Sequence, residues 1–217
     1  MKVLRRVVTR RGVYGAALPY EVAWHCTGPG AARIEGACAA LAAAGAPRGC
    51  VVILAGCAGA LSVGADAARA WAASVVLDDD GKRMTPPLVG APALALIGVD
   101  RLLSTPAGKA ELHARSGAAA VDMEAHAFAR CGAAQGWRWG VVRGISDFST
   151  ERLPEGIEDW VSADGRTRGG RVAAALLRRP WLVARLIGLR RRTSGALEGA
   201  GVVLHTMIAA AAEAGRA

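Results

Sequence analysis

The sequence predicts an α/β protein of three layers, with a mixed central sheet between helices and a helical extension at the C-terminus. Three observations predict it. Apolar runs of strand length alternate with alanine-rich stretches of helix length between residues 21 and 147. Glycine-rich turns punctuate that alternation, drawing on 28 glycines in the chain. Beyond Arg166 the alternation stops and only helical patterning remains.

The elements follow in order. EVAWHC (21–26) reads as a strand ending at Thr27-Gly28-Pro29-Gly30, and residues 31–44 read as a helix closed by Gly45 and Pro47. VVILA (51–55) is a buried strand running into a glycine loop, Gly56-Cys57-Ala58-Gly59. SVVLDDDGKRM holds a strand and an Asp80-Gly81 turn, and LALIGVDRLLS (94–104) is a further strand. Pro106 suits the first position of a helix extending to Arg115. GAAAVDM (117–123) is a strand leading at Glu124 into the helix AHAFARCGAAQG, and WGVVRGI (139–145) is a strand ending at Ser146-Asp147. In the tail, Pro180 divides two helices and Gly195 divides the second from a last one.

A chain of 217 residues suffices for one large domain, here 1–217, with a basic helical extension over about 166–217. Hydrophobic residues make up 53% and charged residues 21%, which excludes a disordered chain, while aromatics at 5% leave the core to Ala, Val, Leu and Ile. No run reaches the ~20 apolar residues of a spanning helix, and MKVLRRVVTRRG is followed by no apolar segment, so a cytosolic protein is expected. Cys26, Cys38, Cys50, Cys57 and Cys131 form no CxxC pair and read as reduced thiols. His25, His113, His126 and His205 have no metal-ligand spacing, so no metal is expected. Arginines cluster at 5–11, 166–179 and 185–192 within a net charge of +9. Such clusters suit phosphate, nucleic acid or an anionic membrane, and equally a solvated basic surface, so charge alone decides nothing.

Ligands of open α/β sheets bind beyond the carboxyl ends of the strands. Three elements end there in distinctive residues: the 56–59 glycines, Met123-Glu124, and Ser146-Asp147. Two acids and a glycine loop on one rim suit cleavage of an N-glycosidic bond, which passes through a ribosyl cation-like state. One carboxylate can hold ribose hydroxyls and favour the developing charge. A second carboxyl, kept protonated by burial, can neutralise a departing purine.

Val121-Asp122-Met123-Glu124-Ala125 and Val141-Val142-Arg143-Gly144-Ile145-Ser146-Asp147 closely resemble the paired VDME and RxISD motifs of the nucleoside phosphorylase/nucleosidase superfamily, in the same order. Gly28-Pro29-Gly30 and Gly56 to Leu61 look like that family's earlier glycine loops, so the resemblance covers roughly residues 22–150. It implies an enzyme acting on a purine nucleoside, by phosphorolysis or, alternatively, hydrolysis. Glu124 would bind the ribose 2′- and 3′-hydroxyls with Met123 against the sugar, and Asp147 would act at purine N7, aided by Ser146. Gly56, Ala58 and Gly59 would bring backbone close to substrate. Arg143 is placed inside the fold, paired with a carboxylate, rather than on the substrate. No cofactor is implied beyond phosphate as a co-substrate, for which Arg33 and Gly30 at a helix start are the candidates. A homo-oligomer, most simply a dimer, is implied, and no nucleic-acid partner.

The chain departs from the family pattern at its start, where no phosphate ligand or water-activating glutamate is marked. A non-catalytic ligand- or membrane-binding homologue is therefore the other function class. The segment TPAGKAELHARSGAAAVDME and the basic tail look like the hopanoid-biosynthesis branch, which acts on an adenosyl lipid. The arginine-flanked apolar stretch of 178–192 also suits peripheral contact with an anionic membrane.

Overall fold

A pair of ten-residue strands forms the spine of the protein in the computed structural model, which describes residues 9–11, 17–66, 69–154, 156–160, 168–179 and 181–214. Strand β3 (Val51–Ala60) and strand β8 (Arg138–Asp147) run parallel, from Val51 opposite Arg138 to Gly59 opposite Asp147, with a bulge just before the last pair. We number the remaining strands β1 (Thr9–Arg11), β2 (Ala17–Val22), β4 (Ala70–Leu77), β5 (Arg83–Met84), β6 (Ala93–Gly98) and β7 (Ala120–Asp122). The helices are α1 (Ala31–Ala43), α2 (Val63–Asp66), α3 (Pro106–Ser116), α4 (Ala125–Gln135), α5 (Gly169–Arg178) and α6 (Leu182–Ala214). The six-stranded sheet has the order β5-β4-β6-β7-β3-β8 and mixes parallel and antiparallel pairs. It also curls, because Ala70–Ala72 of β4 pair with Val142–Gly144 of β8 across the far edge.

The alternation of side chains along β8 builds the layers on either side of it. Trp139, Val141 and Ile145 enter a core shared with Phe128 of α4 and with Ile34 and Cys38 of α1. The Phe128 and Trp139 rings meet edge to face, 6.3 Å apart at 89°. On the opposite face Val142 joins Ala196, Ala200, Val203, Met207 and Ala211 of α6, or lies beside them, in a second apolar layer. That stripe advances by three or four residues at each step, as one face of a helix must. Glycines make the approach of α6 close: a Cβ on Gly144 would stand 2.2 Å from the Ala196 carbonyl oxygen. One on Gly140 would stand 2.8 Å from Met207 Cε.

The three-layer mixed α/β architecture, the helices opening at Ala31, Pro106 and Ala125, and the Asp80-Gly81 turn are as the sequence predicts. Four details differ. β3 continues through Gly56-Cys57-Ala58-Gly59, so this segment is strand and not loop. β2 ends at Val22 and pairs with β1 in a separate two-stranded sheet, leaving 23–28 irregular. α6 runs unbroken through Gly195, since a single glycine costs only about 1 kcal/mol in a helix held by tertiary packing. α6 is also long and apolar enough, by length and composition alone, to cross a membrane, although its 196–211 stripe is buried on the sheet. Residues 1–8, Gly12, Arg166 and Pro180 of the expected basic and helix-breaking features lie outside the described residues.

The contact between Gly144 and α6 yields a direct test. Gly144→Ala places a methyl where the Ala196 carbonyl stands, and overpacking of this kind costs about 1–3 kcal/mol. Thermal unfolding should show a drop of several degrees, at about 2–4 °C per kcal/mol for a chain of this size. An unchanged melting temperature would place α6 elsewhere.

Candidate active site

The site is organised around a buried ion pair. Arg143 and Asp122 are 1% and 6% exposed. Arg143 Nε donates to Asp122 Oδ2 at 2.7 Å, and its Nη2 lies 2.6 Å from the same oxygen. The other carboxylate oxygen, Oδ1, accepts from the amides of Glu124 (3.2 Å) and Ala125 (3.0 Å), satisfying the first N–H groups of α4. Asp122 therefore anchors β8 with one oxygen and starts α4 with the other. Gly56 makes room for the guanidinium, because a Cβ there would stand 2.8 Å from Arg143 Nη1.

This arrangement delivers Glu124 to the cleft. Its Oε2 is 3.6 Å from Arg143 Nη2, and its Oε1 accepts from the Gly30 amide at 2.8 Å. Gly30 takes φ +99°, a backbone conformation that favours glycine, so the turn can aim this N–H at the carboxylate. Burial raises the Glu124 carboxyl above its ordinary range, as does the nearby Asp122 charge. Arg143 and the amides of Gly30 and Met123 pull the other way.

Asp147, 6% exposed, closes β8. Ser146 Oγ stands 2.7 Å from Asp147 Oδ1 and 3.3 Å from the Ala58 carbonyl. Gly59 is needed opposite, since a Cβ there would stand 2.9 Å from Asp147 Oδ2. Behind the carboxylate lies Lys109 of α3, 0% exposed, with Nζ 2.5 Å from Asp147 Oδ2. The same ammonium donates to the Phe148 carbonyl at 2.6 Å and faces the Glu151 carbonyl at 3.4 Å. The segment after β8 is held from several sides. Ser149 bonds the Asp66 carboxylate through its amide (2.8 Å) and hydroxyl (2.7 Å), and the Leu153 amide donates to Ser104 O at 2.9 Å. Arg192 of α6 pairs with Glu151, and its guanidinium carbon lies 5.5 Å from the centre of the Phe148 ring.

One cleft is bordered by Cys57, Ala58 and Gly59 of β3, by Asp122, Met123 and Glu124, and by Ser146 and Asp147. Arg101, Leu102, Leu103, Val121 and Leu153 complete its wall. The predicted Asp147, Glu124, Met123, Ser146, Ala58 and Gly59 are thus brought together. Gly56 is not at the cleft; it accommodates Arg143. Arg33 is half-buried on α1 and does not border the cleft, and Gly30 has its amide occupied by Glu124. Burial pushes the Cys57 thiol up, while the Arg143 charge pulls the other way. Arg143 pairs with a carboxylate inside the fold, as expected. Sequence reasoning missed Lys109 and the role of Asp122. The signal for Lys109 was compositional: lysine occurs only at 2, 82 and 109 in a chain whose other basic residues are arginines.

Arg143→Met leaves the Asp122 charge buried without its partner, and breaking such a pair costs about 3–5 kcal/mol. Urea unfolding should register that loss, and a variant as stable as the parent would contradict the described geometry.

The model of the phosphorylase superfamily matches residues 94–179, a stretch that contains both motifs. No curated protein matches the sequence. Among solved structures, the 5′-methylthioadenosine/S-adenosylhomocysteine nucleosidase of Helicobacter pylori superposes with a TM-score of 0.62 at 14% identity, over 89% of this chain and 82% of that one. Futalosine hydrolase of the same organism gives 0.62 at 13% identity, with the same coverage. The nucleosidase of Colwellia psychrerythraea, in complex with adenine, gives 0.54 at 17% identity over 67% of this chain and 73% of that one. The match to the phosphorylase superfamily thus spans β6 to the end of α5, and the chain shares the fold of these solved nucleosidases.

Proposed function

We propose that the protein is a nucleosidase, hydrolysing the N-glycosidic bond of a purine nucleoside. The observation that carries this reading is the convergence of Glu124 and Asp147, from different strand ends, on one cleft beside Met123. Glu124 accepts from the ribose 2′- and 3′-hydroxyls and stabilises positive charge developing on the sugar, against which Met123 packs. Asp147 addresses N7 of the base, with Ser146 fixing its carboxylate, and Ala58 and Gly59 supply the strand surface beneath. Water is favoured over phosphate as the nucleophile. The Gly30 amide suited to an anion is spent on Glu124, and Arg33 stands away from the cleft. The similar structures are nucleosidases and a hydrolase by description. Phosphorolysis, the first expectation, has no comparable support.

Incubation with adenosine, 5′-methylthioadenosine and an adenosyl lipid, each with and without phosphate, tests the reaction. Free adenine and the free sugar (ribose, 5-methylthioribose or the ribosyl lipid, according to substrate) should appear together, at the same rate with and without phosphate. A strict phosphate requirement would restore phosphorolysis. Asp147→Asn should lower kcat by about 10²–10⁴-fold, the usual share of a general acid. The raised Glu124 carboxyl sets a pH dependence. Ribose binding needs the ionised form, which is lost as pH falls, so kcat/KM should decline on the acid side with a midpoint above the ordinary glutamate value. A midpoint at or below that value would separate Glu124 from the ribose.

We also propose a cytoplasmic homodimer that touches anionic membrane through its tail, where an adenosyl lipid of the hopanoid branch would be presented. Support comes from Leu177, Trp181 and Ile187, which are 86%, 65% and 49% exposed, beside exposed Arg190 and Arg191. Co-sedimentation should show salt-sensitive binding to anionic but not neutral vesicles, weakened by Trp181→Ala with Ile187→Ala. Absence of binding at low salt removes the membrane contact, and a 22.2 kDa species alone in sedimentation removes the dimer.

A further inference from the structure

The carboxylate assigned to the leaving base does not stand alone. Burial was expected to keep Asp147 protonated and ready to donate. Instead Asp147 accepts at both oxygens, from Ser146 Oγ at 2.7 Å and from the Lys109 ammonium at 2.5 Å. Lys109 does not border the cleft, so it meets substrate only through Asp147. Its three protons face three oxygens, those of Asp147, Phe148 and Glu151. Two backbone carbonyls hold the amine in place whether or not it carries a charge, because a neutral amine retains two N–H donors.

We propose that Lys109 is the proton reservoir of this site, a positioning residue that supplies through Asp147 the proton taken by the departing base. The inference rests on the nucleosidase reading above. As the C1′–N bond breaks, its electron pair passes to the base, and a base nitrogen takes a proton from the Asp147 carboxyl. That proton is drawn from the Lys109 ammonium, which becomes a neutral amine. Water adds its oxygen to C1′ and releases a proton to solvent, and solvent reprotonates Lys109 after the base departs. Lysine suits the task and arginine does not, since guanidinium does not surrender its proton in proteins. The choice stands out in a chain that uses arginine at every basic position except 2, 82 and 109.

The experiment compares leaving groups. Wild type, Lys109→Gln and Lys109→Arg are assayed on 5′-methylthioadenosine, whose adenine must be protonated. They are also assayed on 4-nitrophenyl β-D-ribofuranoside, whose 4-nitrophenolate departs as an anion. Lys109→Gln should lose about 10²-fold or more in kcat on the adenine nucleoside, the usual range for general acid catalysis, yet stay within about threefold of wild type on the nitrophenyl riboside. Retained cleavage of the second substrate doubles as the control for an intact fold. Lys109→Arg, which keeps the charge, should fall with Lys109→Gln on the adenine nucleoside. Equal losses on both substrates, or full adenine release by Lys109→Arg, would reduce Lys109 to a structural counter-charge and overturn the proposal. A wild type that cleaves neither substrate nor any nucleoside of the panel would instead overturn the nucleosidase reading itself.

Discussion

The interior pair of Arg143 and Asp122 is the constraint on which the site depends. A guanidinium taken out of water needs a matching carboxylate with little freedom to move. Asp122 meets that need from the end of β7 and at once satisfies the first amides of α4 with its second oxygen. Three elements are thereby locked in register by one carboxylate, and Glu124 can emerge from the junction only in the direction of the cleft. The same proximity explains its chemistry. Burial and the Asp122 charge raise its carboxyl, while Arg143 and the Gly30 amide keep the ionised form accessible.

Glycine serves this arrangement by subtraction. Gly56 and Gly59 do not make β3 a loop; they clear the strand where the Arg143 and Asp147 side chains cross it. Placing the acids on strands and at a helix start, instead of on long loops, gives a rigid frame to groups whose spacing matters within fractions of an ångström. The segment after β8, 148–153, reaches the cleft through Leu153 and is held by polar contacts from α2, α3 and α6.

Much of this was legible in the sequence because local pattern and buried position agree. Strand-length apolar runs, Pro106 at a helix start and the VDME and RxISD segments each carry their meaning within a few residues. What the sequence hid arises from contacts distant in the chain. The 56–59 segment reads as a loop because glycine is a poor strand former on its own, and only the crossing of Arg143 and Asp147 explains its extended state. Gly195 reads as a break because the sheet that holds α6 straight is built from other segments. Lys109 lies within the segment TPAGKAELHARSGAAAVDME, yet that segment assigns it no role, since its partner lies 38 positions away and its neighbours on α3 look like an ordinary amphipathic face. Charge clusters were the least informative feature, because exposure and partnership, not number, determine what an arginine does.

Arg192 ties these parts into a closed frame. It sits on a helix of 33 residues, a rod of about 50 Å, whose later turns are bedded on the face of β8 opposite α4. Through Glu151 and Phe148 that rod grips the segment covering the Asp147 carboxylate. The path from β8 forward into the 148–153 segment and the path from β8 through α6 back to the same segment meet at Arg192. A structure braced along two independent routes resists local distortion as a truss does, and slack in either route is felt at the joint. The basic tail is thus a strut of the cleft, and its sequence answers to the geometry of Asp147 as much as to the solvent around it.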